Sequence, residues 1–212
     1  MNIEYACYDR SLTEEEVKNN ISEAIKLGVK TVATYQYSIA YVKNIIAENN
    51  AKLYCPVDFP YGVCDTKSRN FMVEQLCKLG VSGIDLVVQS KYVCNRKYDK
   101  IREDIRNNLE LTQKNNVDLR YILEYRVFNH EILAKVCQIM KSMGINSVLP
   151  STGQMIDDIN DNIIAAKYLQ SKSGINVIVN GNIWNEKHLN NIRQSDTSNI
   201  RVHHLSNIDL LA

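Results

Sequence analysis

A closed (β/α)8 barrel of the TIM type, in the α/β class, is the fold this sequence predicts. Three observations point to it. Polar, helix-like segments end repeatedly in Gly or Asn, and a short β-branched run follows at once, as in KLG-VKTVATY, KLG-VSGIDLVV, KNN-VDLRYILEY and KSG-INVIVNG. The punctuating residues Gly28, Asn50, Gly80, Asn116, Gly144, Gly174 and Asn199 are of the types that tolerate the left-handed conformation closing a helix. Their spacing of 22 to 36 residues is that of one βα unit, and seven such strands plus IEYACY make eight. The strands VKTVATY, IDLVV, RYILEY, NSVL and NVIV are near-continuous apolar runs, as expected where both faces are buried.

The first helix starts at Thr13 with Glu16 three residues on, a capping-box pattern, and Val17, Ile21 and Ala24/Ile25 give it one apolar face. The second carries Ile39, Val42, Ile45 and Ile46, and the third Met72, Val73, Leu76 and Leu79. Ile101, Ile105 and Leu109 mark the fourth, and Ile132, Leu133, Val136 and Met140 the fifth. Ile159, Ile163, Ala166 and Leu169 mark the sixth, and a brief seventh spans Glu186 to Gln194. Lys91 falls in the loop after the fourth strand.

At 212 residues the chain is short for such a barrel, which usually needs roughly 250, so residues 1–212 are read as one barrel domain with brief loops. The 25 basic and 24 acidic residues leave a formal charge of +1, which offers no footprint for nucleic acid. No apolar run is long enough to span a bilayer, and no signal peptide is expected. Six cysteines without CxxC spacing suit a reducing, cytoplasmic setting better than a disulfide framework. No metal or cofactor is implied, and a homodimer is left open.

Chemistry in such barrels sits at the C-terminal strand ends. The polar residues there are Glu4, Tyr35, Asp58, Asp85, Gln89, Arg120, Glu124, Ser151, Thr152, Asn180, Asn182, His203 and His204. Read in order, GVSGIDLVV, DLRYILEY, NSVLPSTG and NVIVNGNI resemble the deoxyribose-phosphate aldolase family of class I aldolases. TVATYQYSIAYVKNII, VDFPYG and IEYACYDRSLTEEEV extend the resemblance over most of the chain.

That resemblance implies a lyase in which a lysine on strand six forms a Schiff base with a carbonyl substrate. A second lysine on strand seven lowers the first one's pKa, and an aspartate on strand four shuttles protons. Aligned on Ser151, Thr152 and Gly153, the Schiff-base position holds Leu149; aligned on Gly181, the second position holds Ile178. Neither can form an imine. Asp85 stands at the strand-four acid, with Arg120 and Glu124 as the remaining catalytic candidates. The resemblance places ligand contacts at Ser151, Thr152, Gly153, Asn180, Gly181, His204 and Ser206. Basic positions of the phosphate site become Gln154 and Trp184, and two imidazoles enter nearby, which weakens a dianion site except where a histidine is protonated below roughly pH 6.5.

Each candidate has a plainer reading. Asp85 reads more readily as a buried acid paired with Arg120 than as a shuttle. Of His203 and His204, at most one enters the barrel. Cys55 reads as an inert buried thiol. Tyr35, Tyr37, Tyr41, Tyr61 and Tyr92 suggest an aromatic mouth, although scattered tyrosines are ordinary rim residues. The sequence therefore points to an aldolase-superfamily barrel that binds or transforms a small carbonyl or phosphorylated metabolite by lysine-independent acid/base chemistry. The alternative is a pseudoenzyme serving as a ligand sensor or as a subunit that braces a partner.

Overall fold

A computed structural model describes residues 1–155 and 158–211. Nine parallel strands alternate with helices: β1 (Asn2–Cys7), α1 (Glu14–Lys26), β2 (Thr31–Thr34), α2 (Ile39–Glu48), β3 (Lys52–Val57), α3 (Thr66–Leu79), β4 (Gly83–Val87), α4 (Ser90–Cys94) and α5 (Tyr98–Gln113). They continue as β5 (Asp118–Ile122), α6 (His130–Ser142), β6 (Ser147–Leu149), α7 (Ile159–Ser173), β7 (Asn176–Val177), β8 (Val179–Asn180), α8 (Glu186–Arg193), β9 (Asn199–Val202) and α9 (Leu205–Leu211). The sheet runs from β7 through β6 down to β1, then to β9 and β8. β7 and β8 are two halves of one stave joined at Ile178, whose N–H still donates to the Val148 carbonyl at 2.9 Å. The ring of eight staves therefore closes through the chain itself, as the sequence predicts.

Local chemistry sets the element ends. Thr13 accepts from the Glu16 N–H while Glu16 accepts from Thr13, so the capping box forms. Of the seven punctuating residues, Gly28, Asn50, Gly80, Asn116, Gly144 and Gly174 take positive φ. Asn199 does not: it opens β9, and Asp196 at φ 55° makes that turn. Lys91 lies in the short helix α4 rather than in a loop, because Gln89 caps the Lys91 N–H. On α3 the buried face is Val73, Leu76 and Cys77, with Arg69 a turn earlier; Leu79 at the helix end is 39% exposed.

The core lies mainly between sheet and helices. There Cys7, Val32, Leu53, Cys55, Val57, Ile84, Leu86, Leu119 and Tyr121 pack against the helix faces. Cys55 is in this outer layer, where burial pushes its thiol up, so the inert reading fits. The intervening residues, offset by one, face the barrel axis.

Candidate functional site at the barrel mouth

The barrel interior is built in layers. Deep in it is a closed ring of four charges contributed by β1, β4, β5 and β9. Arg120 donates from Nε to Asp85 and from Nη1 to Glu4, both at 2.8 Å. Arg201 donates to Asp85 at 2.7 Å and to Glu4 at 2.7 and 3.1 Å. Each guanidinium thus bridges both carboxylates, and the ring is electrically neutral. All four residues are buried, Asp85 completely. Register builds it, since Asp85 pairs with Arg120 and Glu4 with Arg201 across adjacent strands. Burial pushes the Asp85 carboxyl up, but Arg120 and Arg201 outweigh it and hold it below the usual carboxylate range. The Arg120 guanidinium also lies 3.6 Å from the Tyr54 ring centre, and that ring occupies the space a side chain at Gly83 would need.

Two residues further along β4 and β5, the interior turns aliphatic. Val87, Ile122, Leu149 and Ile178 pack together with Phe59 against them. Leu149 and Ile178, the positions at which the resemblance expects amines, are 0% and 3% exposed and line none of the clefts above. None of the chain's lysines is buried.

Above this cap the mouth opens into adjoining clefts. One, of about 540 Å³, is lined by Val87, Val63, Val127, Phe128 and Met155, with Glu124, Thr152, Gln154 and Ser90 as its polar groups. Glu124 follows β5 in a left-handed conformation at φ 53°, a strained geometry for a side-chain-bearing residue. Its Oε2 accepts the Thr152 N–H at 3.0 Å and the Thr152 hydroxyl at 2.5 Å. A second lobe of about 650 Å³, over β1 to β3, is ringed by Tyr8, Tyr35, Tyr37, Phe59 and Tyr61. The loop carrying Phe59, Pro60 and Tyr61 is anchored from below. Asp58 accepts the Val63 and Cys64 N–H groups, and buried Arg69 ties Asp58 to Asp104. This second buried network was not foreseen; the sequence signal was an arginine on the apolar face of α3.

The remaining candidates lie beside β6, β8 and β9. Asn180 donates to the Ser151 carbonyl at 2.7 Å, so its amide oxygen accepts from His203 Nε2 at 2.8 Å. His203 is therefore the ring that enters the barrel. Burial, with Arg201 and His204 adding to it, pushes its pKa down to about 3, so it stays neutral and offers no cation to an anion. Gly153, at φ 71°, must lack a side chain because a Cβ there would stand 2.6 Å from His203 Nε2. His204 and Ser206 lie exposed, and His204 meets Trp184 edge-on at 5.2 Å. A small cleft of about 280 Å³ joins Gly153, Gly181, Asn182 and Trp184 to the Asp158 carboxylate; no lysine or arginine is among its described lining residues. Among the described residues no cluster of His, Cys, Asp and Glu could hold a metal, and no helix is long and apolar enough to cross a membrane.

A parallel (β/α)8 barrel with its polar groups gathered at the C-terminal strand ends defines the chain as a TIM barrel with its candidate site at the mouth. No family model matches it. Among curated proteins it is 30% identical over 152 residues to deoxyribose-phosphate aldolase of Finegoldia magna, covering 71% of this chain and 70% of that protein. It is 27% identical over 151 residues to deoxyribose-phosphate aldolase 1 of Mesoplasma florum, covering 71% and 68%. Among solved structures, the tetrameric deoxyribose phosphate aldolase of Aeropyrum pernix superposes with a TM-score of 0.83 at 16% identity, covering 98% of this chain and 87% of that one. The chain belongs to the deoxyribose-phosphate aldolase family.

Proposed function

We propose that this family member binds an uncharged small carbonyl or hydroxy compound at the barrel mouth and forms no imine with it. The observation that carries this reading is the pair of layers beneath the mouth: under an aliphatic cap lies a neutral ring in which every carboxylate and guanidinium is ion-paired, with Arg120 Nη2 its one atom lacking a hydrogen-bond partner among the described residues. An imine needs an amine that reaches the ligand, and no buried lysine exists to supply one. Asp85 is a structural acid in this reading, since both of its oxygens are taken by arginine. The cleft beside Gly153 and Gly181 carries a carboxylate and no described cation, which favours an uncharged ligand over a phosphorylated one. A second reading, turnover by acid/base chemistry, draws on Glu124 alone: a buried carboxylate in strained backbone that faces the apolar cleft of about 540 Å³.

The test combines trapping with binding. Borohydride reduction in the presence of an aldehyde should leave no adduct on a lysine at the barrel mouth, read by peptide mass spectrometry. Glyceraldehyde should raise the melting temperature more than its 3-phosphate does. A trapped lysine at the mouth, or a preference for the phosphate, sinks the binding reading. Conversion of a carbonyl compound that Glu124→Gln abolishes would establish the second reading instead.

A further inference from the structure

We infer that the lobe over β1 to β3 is a binding site for a planar, uncharged aromatic ring. Its walls are aromatic on several sides: Tyr8 lies 5.2 Å from both Tyr35 and Phe59, and Tyr35 stacks on Tyr37 at 5.6 Å with 23° between planes. Tyr61 completes the lining from the loop after β3. Of the five tyrosines that suggested an aromatic mouth, the fold gathers Tyr35, Tyr37 and Tyr61 here, while Tyr41 bonds Ser38 and Tyr92 bonds Thr66 outside the lobe.

Two features separate this lobe from an ordinary rim. Tyr37 and Tyr61 are 60% and 72% exposed, so the fold leaves large ring faces in water around a concavity of about 650 Å³. Those faces sit on anchored supports, because Arg69 and Asp58 fix the Tyr61 loop and the Tyr35 ring leans on Phe59 at 6.2 Å. Preorganised ring faces bind other rings with little ordering cost. The charge at the rim selects the ligand's charge. Asp9 and Arg10 are the charged lining residues, and they are opposite in sign. An organic cation would gain from the tyrosine faces and Asp9 but meet Arg10; an anion would meet Asp9. A neutral ring gains the stacking without either opposition. The lobe also shares Pro60, Tyr61 and Gln154 with the Glu124 cleft, so a substituent on that ring extends toward Glu124.

Ligand-observed NMR titrations of the full chain with indole, cyclohexanol and tetramethylammonium test the assignment. Indole should bind saturably, and Tyr37→Ala and Tyr61→Ala should each weaken it by about tenfold, a typical loss for one stacking ring. Both side chains are largely exposed, so both variants fold. Cyclohexanol, similar in size but not planar, should bind at least tenfold more weakly than indole. The assignment fails if indole does not saturate at millimolar concentration, if cyclohexanol matches it, if tetramethylammonium outcompetes it, or if neither tyrosine variant changes it. A concentration-dependent dimer that Tyr37→Ala disperses, with no indole binding, would show that a second copy covers the lobe and would equally overturn it. Indole binding without any response to glyceraldehyde would leave this site standing while removing the proposed binding of a small carbonyl compound.

Discussion

Replacing Arg201 by leucine should cost this fold more than any surface change could. The guanidinium makes three hydrogen bonds of 2.7 to 3.1 Å to Glu4 and Asp85, both buried. Without it, two buried carboxylates share the single cation Arg120. Breaking a buried charge pair by removing one partner costs about 3–5 kcal/mol. Native stabilities are about 5–15 kcal/mol, so the loss is a large share of the total. With a urea dependence of about 2–3 kcal/mol per molar, the unfolding midpoint should fall by roughly 1–2 M, read by circular dichroism. The variant Glu4→Leu/Arg201→Leu removes one charge of each sign and leaves Arg120 on Asp85 at 2.8 Å. It should therefore be less destabilised than the sum of its single variants. Acid sensitivity follows the same logic. The folded-state pKa of Asp85 lies below its unfolded value, so its contribution is complete above about pH 4 and is lost as pH falls through the lowered folded value. Arg201→Leu removes one of the two cations that hold the carboxyl down, so its acid unfolding should begin at higher pH. A loss under about 1 kcal/mol, or strictly additive double variants, would refute the view that these charges stabilise one another.

His203 should give a long-range ¹H–¹⁵N spectrum of the Nε2–H tautomer that does not change between pH 5 and 8, since its folded pKa is about 3. Its unfolded pKa is near 6.5, so the unfolded chain takes up this proton first and stability should decline as pH drops from about 6.5 toward 3; His203→Gln should lessen that slope. Gly83→Ala would place a Cβ 2.1 Å from the Tyr54 ring, which Arg120 at 3.6 Å and Asp118 at 2.9 Å pin in place; it should cost about 1–3 kcal/mol in urea. The Tyr8 hydroxyl is buried with no hydrogen-bond partner among the described residues, so Tyr8→Phe should raise the melting temperature by about 2–4 °C.

The barrel was legible because its signals are local: a glycine or asparagine that must turn left-handed, then a strand apolar on both faces. The one misplaced turn shows the limit. Asn199 and Asp196 both tolerate positive φ, and only the pairing of Asn2 with Asn199 decides which one belongs to the strand. The Asp85–Arg120 pair was also legible, because adjacent parallel strands set them side by side. Arg201 was missed, since 116 residues separate it from Asp85. Its signal was present nonetheless: within Ile200–Arg201–Val202 the arginine is the one polar residue, and it carries the opposite phase to its buried neighbours. The same phase puts His203 inside and His204 outside, which settles a choice the motif alignment left open. The aromatic lobe needed coordinates, because Tyr8, Tyr35 and the Phe59–Tyr61 loop follow three successive staves, and it is the turn of the chain over the mouth at each strand end that makes their rings converge.

The charge ring and the aliphatic cap explain each other. A buried ring of two carboxylates and two guanidiniums is tolerable only when every charge is partnered and water is kept from competing. Leu149 and Ile178 supply that seal directly above it. An amine at either position would bring a further positive charge, or a desolvated neutral nitrogen, into a layer of Val87, Ile122 and Phe59 that offers no acceptor. On the proposed reading the same cap separates Asp85 from a ligand at the mouth and leaves the acid an ionic brace, held by Arg120 and Arg201. The groups that line the clefts above the seal are Glu124 with Thr152 on one side and the tyrosine faces on the other, and the proposed ligand chemistry rests on these.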